Sequence, residues 1–304
     1  MKSMADVAPH EPWLAGVGGD LDRCPAHREQ GRDVSLSSAQ ARTVIVVPTY
    51  NELENIDALI GKIEGARDNC AFDVLFVDDG SPDGTAARIH ASSATRPWIH
   101  IVERAGRMGL GSAYRAGFAW ARAHGFDRIG EMDADLSHDP AYIPALVDAV
   151  TDGANLALGS RYTAGGGSEG WPVQRRMLSK GANRFARTLL RLRTRDVTGG
   201  FRLYDGAAID LLLEQGTECD GYGFQVEGVV AITRAGMRIT EVPIIFRDRA
   251  YGSSKMTKKI VWEATRRCVS LAFAKPAQLP VEPDQGNVTA ERVAAMREGA
   301  TDGI

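Results

Sequence analysis

Glu131-Met132-Asp133-Ala134-Asp135-Leu136-Ser137-His138 sets two carboxylates one residue apart just after a short apolar run, and Asp139-Pro140 then opens a helical pattern. At the carboxyl end of a strand, this spacing lets both side chains reach one ion or one water network. Hard cations such as Mg²⁺ and Mn²⁺ take oxygen ligands, and Mg²⁺ commonly uses one or two carboxylates together with substrate phosphates. Spacing alone does not settle the matter. Asp20-Leu21-Asp22 repeats it in a segment that no strand precedes.

The flanking sequence supplies the context. Thr43-Val44-Ile45-Val46-Val47, rich in β-branched residues and ended by Pro48, reads as a buried strand. Further strands are predicted at 72–77, 99–102, 126–132 and 156–159, with helices at 53–67, from 83, at 112–124 and at 140–150. This alternation predicts an α/β fold, a mostly parallel sheet flanked by helices. Ligands in such sheets sit beyond the carboxyl ends of the strands. Polar clusters at 48–52, 78–84, 133–138 and 159–162 all fall there. After Gly159 the rhythm changes. Gly165-Gly166-Gly167 marks a loop, a basic helix is predicted at 175–193, and a strand pair at 201–204 and 239–246 comes with two further helices. This half reads as an extension of the same sheet for a second substrate.

Composition narrows the class. The 304 residues are 44% hydrophobic and 25% charged, enough for a sizeable globular core. Residues 1–41 and 276–304 lack periodicity and read as mostly disordered tails, leaving a body at 42–275. A net charge of −3 argues against a nucleic-acid partner. Cys24, Cys70, Cys219 and Cys268 are scattered, which disfavours a disulfide framework or zinc site and suits a reducing cytoplasm. No secretory leader is visible, and no run approaches the ~18 apolar residues of a membrane span. Work at a membrane would therefore be done from its cytoplasmic surface.

Val77-Asp78-Asp79-Gly80-Ser81-Pro82-Asp83-Gly84 follows the second strand, and its adjacent carboxylates repel unless a cation or hydrogen-bond donors compensate. A carboxylate there can accept from the amide edge of a nucleobase. Gly109-Leu110-Gly111 imitates a phosphate loop, but the third glycine is displaced to Gly117 and no Walker lysine follows. A signalling receiver domain would need a lysine after the fifth strand, where Gly159-Ser160-Arg161 stands instead.

Together with Pro48-Thr49-Tyr50-Asn51-Glu52, Trp171-Pro172, Ser179-Lys180-Gly181-Ala182-Asn183, Thr198-Gly199-Gly200-Phe201-Arg202, Asp248-Arg249 and Gly252-Ser253-Ser254-Lys255, these motifs occur in one order. Over about residues 43–273 the chain closely resembles polyprenol (dolichol) monophosphate mannose synthases, family 2 glycosyltransferases with a GT-A (Rossmann-like) fold. The resemblance implies a single catalytic domain with an acceptor-side extension. It also implies inverting transfer of mannose from GDP-mannose to a polyprenyl phosphate, with Mg²⁺ or Mn²⁺. It assigns Pro48, Tyr50, Glu52, Val77 and Asp79 to the guanosine. Asp133, Ala134, Asp135 and Ser137 go to metal and diphosphate, and Arg249 and Lys255 to the donor diphosphate. Arg161, Arg175 and Ser179 go to the acceptor side, with Asp133, Asp135, Arg161 and Arg249 as the catalytic set. Ser137 stands where some relatives carry Gln, so its shorter hydroxyl suits a water bridge better than direct ligation. The same fold using UDP-glucose or another sugar nucleotide is the nearest alternative, and a non-catalytic sugar-nucleotide-binding protein a more distant one.

The acceptor needs no strong base, because a phosphate monoester is already mostly dianionic near neutral pH. Asp135 or Glu227 would be the fallback. The basic helix at 175–193 carries Leu178, Phe185, Leu189 and Leu192 as an apolar stripe. It can serve as a core-packed helix or as a membrane-surface helix, and 258–273 is a second such candidate. A membrane-anchoring partner protein would serve the same end.

Overall fold

The computed structural model describes residues 41–215, 222–248 and 258–273. Residues 1–40 and 274–304, which take in the expected tails at 1–41 and 276–304 except residue 41, lie outside the described residues, as do Cys219, Arg249 and Gly252 to Lys255.

Thr43–Thr49 forms β1, and its side chains alternate between two cores. Val44 and Val46 face one apolar cluster, Ile45 and Val47 the other, all fully buried. A strand buried on both faces needs a helix layer on each side, and the chain winds one on after every strand. The order is α1 (Leu53–Arg67), β2 (Asp73–Asp78), α2 (Thr85–Ser93), β3 (Ile99–Glu103), α3 (Leu110–Ala123) and β4 (Arg128–Glu131). A single 3₁₀ turn (Pro140–Tyr142) capped by Asp139 then leads into α4 (Ile143–Thr151) and β5 (Leu156–Ser160). Gly117 lets α3 approach the sheet: a Cβ there would stand 2.4 Å from Val46 Cγ1. That glycine serves helix–sheet packing, which explains why it does not fit a phosphate-loop pattern.

The second half departs from the expected pairing. After β6 (Gly167–Glu169), α5 (Val173–Leu190), β7 (Arg202–Asp205), α6 (Gly206–Gln215) and α7 (Tyr222–Arg234) come β8 (Ile239–Pro243), β9 (Ile245–Arg247) and α8 (Lys258–Phe273). The seven-stranded sheet has the order β3-β2-β1-β4-β7-β5-β8. The predicted strands at 201–204 and 239–246 therefore do not pair with each other. β7 inserts antiparallel between β4 and β5, Glu131 opposite Arg202, while β8 lies parallel on the far side of β5. The second predicted strand breaks at Ile244, which is 2% exposed and turns under Gly159, and β9 then pairs with β6 in a separate two-stranded sheet. Proline at 243 can donate nothing to continue a ladder.

The basic helix also ends earlier than expected. Arg191 adopts a left-handed conformation (φ 55°), so Leu192 lies beyond the helix and is buried. The predicted apolar stripe splits accordingly. Leu189 packs against the core, whereas Leu178 (61%) and Phe185 (46%) join Val173 and Met177 on the exposed side.

Candidate active site

β1, β2, β4 and β5 all end at one edge of the sheet, and β7, running the other way, begins there. The loop after β4 folds back on itself. Leu136 takes φ 65°, a costly conformation for a bulky side chain, and such strain persists where the surroundings enforce it. The turn it makes aims both the N–H and the hydroxyl of Ser137 at Asp135 Oδ1, at 3.1 and 2.5 Å. One residue later, His138 Nδ1 accepts the backbone N–H of Asp133 at 3.1 Å. The imidazole is 2% exposed, stacked on Phe201 at 5.1 Å and met edge-on by Phe246 at 5.3 Å. Its Nδ1 therefore carries a lone pair. Asp135 and Ala134 are buried, while the Asp133 side chain stays 34% exposed at the rim. Gly200 keeps the space beside it open: a Cβ there would lie 3.9 Å from Asp133 Oδ1 and 3.7 Å from His138.

The adjacent carboxylates after β2 divide their work. Asp78 is fully buried and accepts from Thr49, from the Ser81 hydroxyl (2.6 Å) and from the Ser81 N–H (2.8 Å), which fixes the turn. Asp79 is held by Arg104, whose Nε donates at 2.6 Å while Nη1 reaches Ser112. Burial pushes the Asp79 carboxyl up from its ordinary range, and the guanidinium opposes this. Arg104 is the compensating cation that the sequence reading left unnamed; its position right after β3 was the available signal. Tyr50 lies under Arg107, Glu52 accepts from Asn55 Nδ2 at 2.8 Å, and the Val77 side chain is buried in the core.

Arg161, just past β5, makes a buried bidentate pair with Asp196 (2.7 Å to each oxygen) and a third bond to Thr198. Asn183 of α5 donates to the same Thr198 hydroxyl, and Tyr162 donates to Ser179, so α5 is tied to the end of β5. Arg175 pairs with Asp248 at 2.8 Å and lies over Trp171. Asp196 was not read from the sequence at all. Glu227, the fallback base, is hydrogen-bonded to Arg267 of α8.

Beneath this edge runs a buried polar chain. Tyr204 donates to Glu131 at 2.8 Å, and Arg202, itself fully buried, donates to the Tyr204 hydroxyl. The same guanidinium holds the carbonyls of Val197, Gly199 and Gln225. Thr198-Gly199-Gly200 is thereby pinned from below. Burial pushes the Glu131 carboxyl up, against the pull of Arg202 and Tyr204.

Among the described residues no three His, Cys, Asp or Glu side chains cluster as a metal cage. Asp133 and Asp135 still fit a hard divalent ion, since one or two carboxylates completed by substrate phosphates is the common Mg²⁺ arrangement. Ser137 has its hydroxyl turned onto Asp135, so it orients that carboxylate.

A mostly parallel sheet with a carboxylate loop at the end of its fourth strand and one antiparallel strand inserted beside it is the GT-A glycosyltransferase fold. Glucosyl-3-phosphoglycerate synthase from Mycobacterium tuberculosis, solved with Mn²⁺, UDP and phosphoglyceric acid, has this fold (TM-score 0.57, 21% identity, 76% of this chain and 80% of that one). The same synthase solved with Mg²⁺ and UDP gives a TM-score of 0.56 at 21% identity, over 80% of this chain and 85% of that one. The chain belongs to glycosyl transferase family 2, whose model matches residues 44–212. It is 40% identical over 243 residues to the polyprenol monophosphomannose synthase of Mycolicibacterium smegmatis, covering 79% of this chain and 91% of that protein. It is 41% identical to the undecaprenyl-phosphate mannosyltransferase of Micrococcus luteus (73% and 90%). To the dolichol-phosphate mannosyltransferase of Pyrococcus furiosus it is 35% identical over 75% of this chain and 62% of that one.

Proposed function

We propose that this protein transfers mannose from GDP-mannose to the phosphate of a polyprenyl monophosphate, with inversion at the anomeric carbon, through a single GT-A domain at 42–275. The carrying observation is that one sheet edge brings together the Asp133–Asp135 loop and two arginines, Arg161 and Arg175, on its opposite flank. The sugar and acceptor follow from the mannosyltransferases to which the chain is similar.

Asp133 and Asp135 would hold Mg²⁺ or Mn²⁺, with Ser137 and His138 fixing the loop. A divalent cation bound there neutralises the charge that grows on a departing diphosphate. Arg249 and Lys255 are proposed as further contacts to that diphosphate. Asp79, kept in place by Arg104, accepts from the amide edge of guanine, and Pro48, Tyr50, Glu52 and the backbone at Val77 line the nucleoside side. Arg161 and Arg175, with Ser179, orient the acceptor phosphate. Guanidinium pairs with phosphate in bidentate fashion, and the dianion is itself the nucleophile, so no side chain needs to take a proton.

The acceptor lies in a membrane, and α5 offers a face to reach it. Val173 (61% exposed), Met177 (69%), Leu178 and Phe185 sit among exposed Arg176, Lys180 and Arg184. Phe273 at the end of α8, 83% exposed, adds to the apolar surface. No helix among the described residues is long and apolar enough to cross a membrane. Peripheral binding to the cytoplasmic surface suits this face, and a membrane partner protein could reinforce it.

The test is a transfer assay with purified protein, undecaprenyl phosphate and labelled sugar nucleotides, before and after chelation. Mannose should pass from GDP-mannose to the lipid, stop with EDTA and resume with Mg²⁺ or Mn²⁺. Absence of mannose transfer refutes the reading, and a preference for UDP-glucose replaces the donor.

A further inference from the structure

Trp171 belongs to the ordered motifs, yet nothing in the chemistry above uses it. It sits between β6 and α5, 8% exposed. Two guanidinium groups lie over its ring, Arg175 at 4.3 Å from the centroid and Arg161 at 5.5 Å. Phe246 meets the indole at 66° with centroids 5.2 Å apart, and Arg161 lies 5.5 Å from the Phe246 centroid and 5.3 Å from that of Tyr162. The indole N–H is buried and has no hydrogen-bond acceptor among the described residues. A buried tryptophan normally pairs that donor. At this position the ring surface is what the surroundings use.

The two arginines come from different elements and answer to different carboxylates, Asp196 and Asp248. Trp171 is the surface they share. Two guanidinium groups brought together repel, while the negative face of an indole attracts both, more strongly than any other side-chain ring.

We propose that Trp171 is a positioning residue for the acceptor: its ring sets the spacing and tilt of Arg161 and Arg175 so that one phosphate monoester dianion bridges them. The inference rests on the acceptor reading given above and deepens it. Loss of the ring leaves both arginines tethered to their own carboxylates, at a separation that no longer matches one phosphate. The donor side touches this cluster through Phe246, which also packs on His138, and not through either arginine's carboxylate, so it should respond far less.

The experiment compares Trp171→Phe and Trp171→Leu in the full-length enzyme, varying undecaprenyl phosphate and GDP-mannose separately. Trp171→Leu should raise KM for undecaprenyl phosphate by about tenfold or more and change KM for GDP-mannose by less than about twofold, while Trp171→Phe stays within about threefold on both. A parallel rise in both KM values, a fall in Trp171→Phe as deep as in Trp171→Leu, or a wild-type-like Trp171→Leu would overturn the proposal. Trp171→Met puts the same question if the leucine variant is insoluble. Wild-type protein that binds GDP-mannose but transfers nothing to undecaprenyl phosphate sinks the acceptor reading and this inference with it. Wild-type transfer with an indifferent Trp171→Leu sinks the inference alone.

Discussion

The two flanks of the site are built with opposite charge logic. The donor flank presents carboxylates: Asp79, paired with buried Arg104, and the Asp133–Asp135 loop, where Ser137 donates to Asp135 and His138 accepts the Asp133 N–H. The acceptor flank presents arginines, each already answered by an aspartate. On the first flank, carboxylates and an anionic sugar nucleotide repel each other, and a divalent cation between them relieves that repulsion. A phosphate approaching the second meets balanced charge and must be recognised by the geometry of the guanidinium groups. The difference predicts that losing a carboxylate of the Asp133–Asp135 loop costs turnover, and that losing a buried arginine–aspartate pair costs stability.

Three variants probe that contrast. Asp135→Ala should lower mannose transfer about 10³-fold or more in the radiolabel assay, with the thermal midpoint little changed. Near-normal turnover would leave the donor flank without its proposed role. Asp196→Ala strands a buried guanidinium that is 8% exposed, and urea titration should show a loss of about 3–5 kcal/mol. Asp248→Asn removes the more open partner of Arg175, whose pair is 29% and 40% exposed, and should cost less than about 1 kcal/mol. Equal losses at Asp196 and Asp248 would erase the distinction between the buried pair and the rim pair.

Smaller effects sharpen the donor side. His138→Ala should weaken Mn²⁺ binding in the presence of GDP about 10- to 100-fold by calorimetry, and His138→Asn should recover part of it, since an amide oxygen can also accept the Asp133 N–H. Full affinity in the alanine variant would make the histidine a packing residue. At Asp83, some burial raises the carboxyl pKa, but hydrogen bonds from Thr85 and Leu53 outweigh that and hold it below its ordinary value of 3.8. Stabilisation from a depressed carboxyl is complete above about pH 4 and is lost as pH falls through the folded-state value. Asp83→Asn should therefore be less stable than wild type at pH 7, and the two should converge on acidification.

Much of the donor flank was legible because its signals are local. The strand at 43–49 announces itself by β-branched residues, and the carboxylate loop by its place after the fourth strand. Asp78 and Asp79 looked alike in sequence, because which of two neighbours turns inward depends on what stands opposite. Thr49 and Ser81 claimed the first, Arg104 the second. The helix at 173–190 showed its basic character in sequence, but only packing against the core separated Leu189 from exposed Leu178 and Phe185.

The sequence by itself determined the layered α/β class, the family and the position of the Asp133–Asp135 pair. Hydrophobic period and motif order are properties of short stretches, which need no knowledge of distant partners. Tertiary structure alone decided that β7 lies between β4 and β5, that Arg202 pins the glycines beside Asp133, and that Arg161 shares Asp196 and Trp171. Strand ladders and buried ion pairs join residues far apart in the chain, as Tyr204 joins Glu131 across 73 positions. No local pattern records which of many compatible donors and acceptors will be brought together when the core closes.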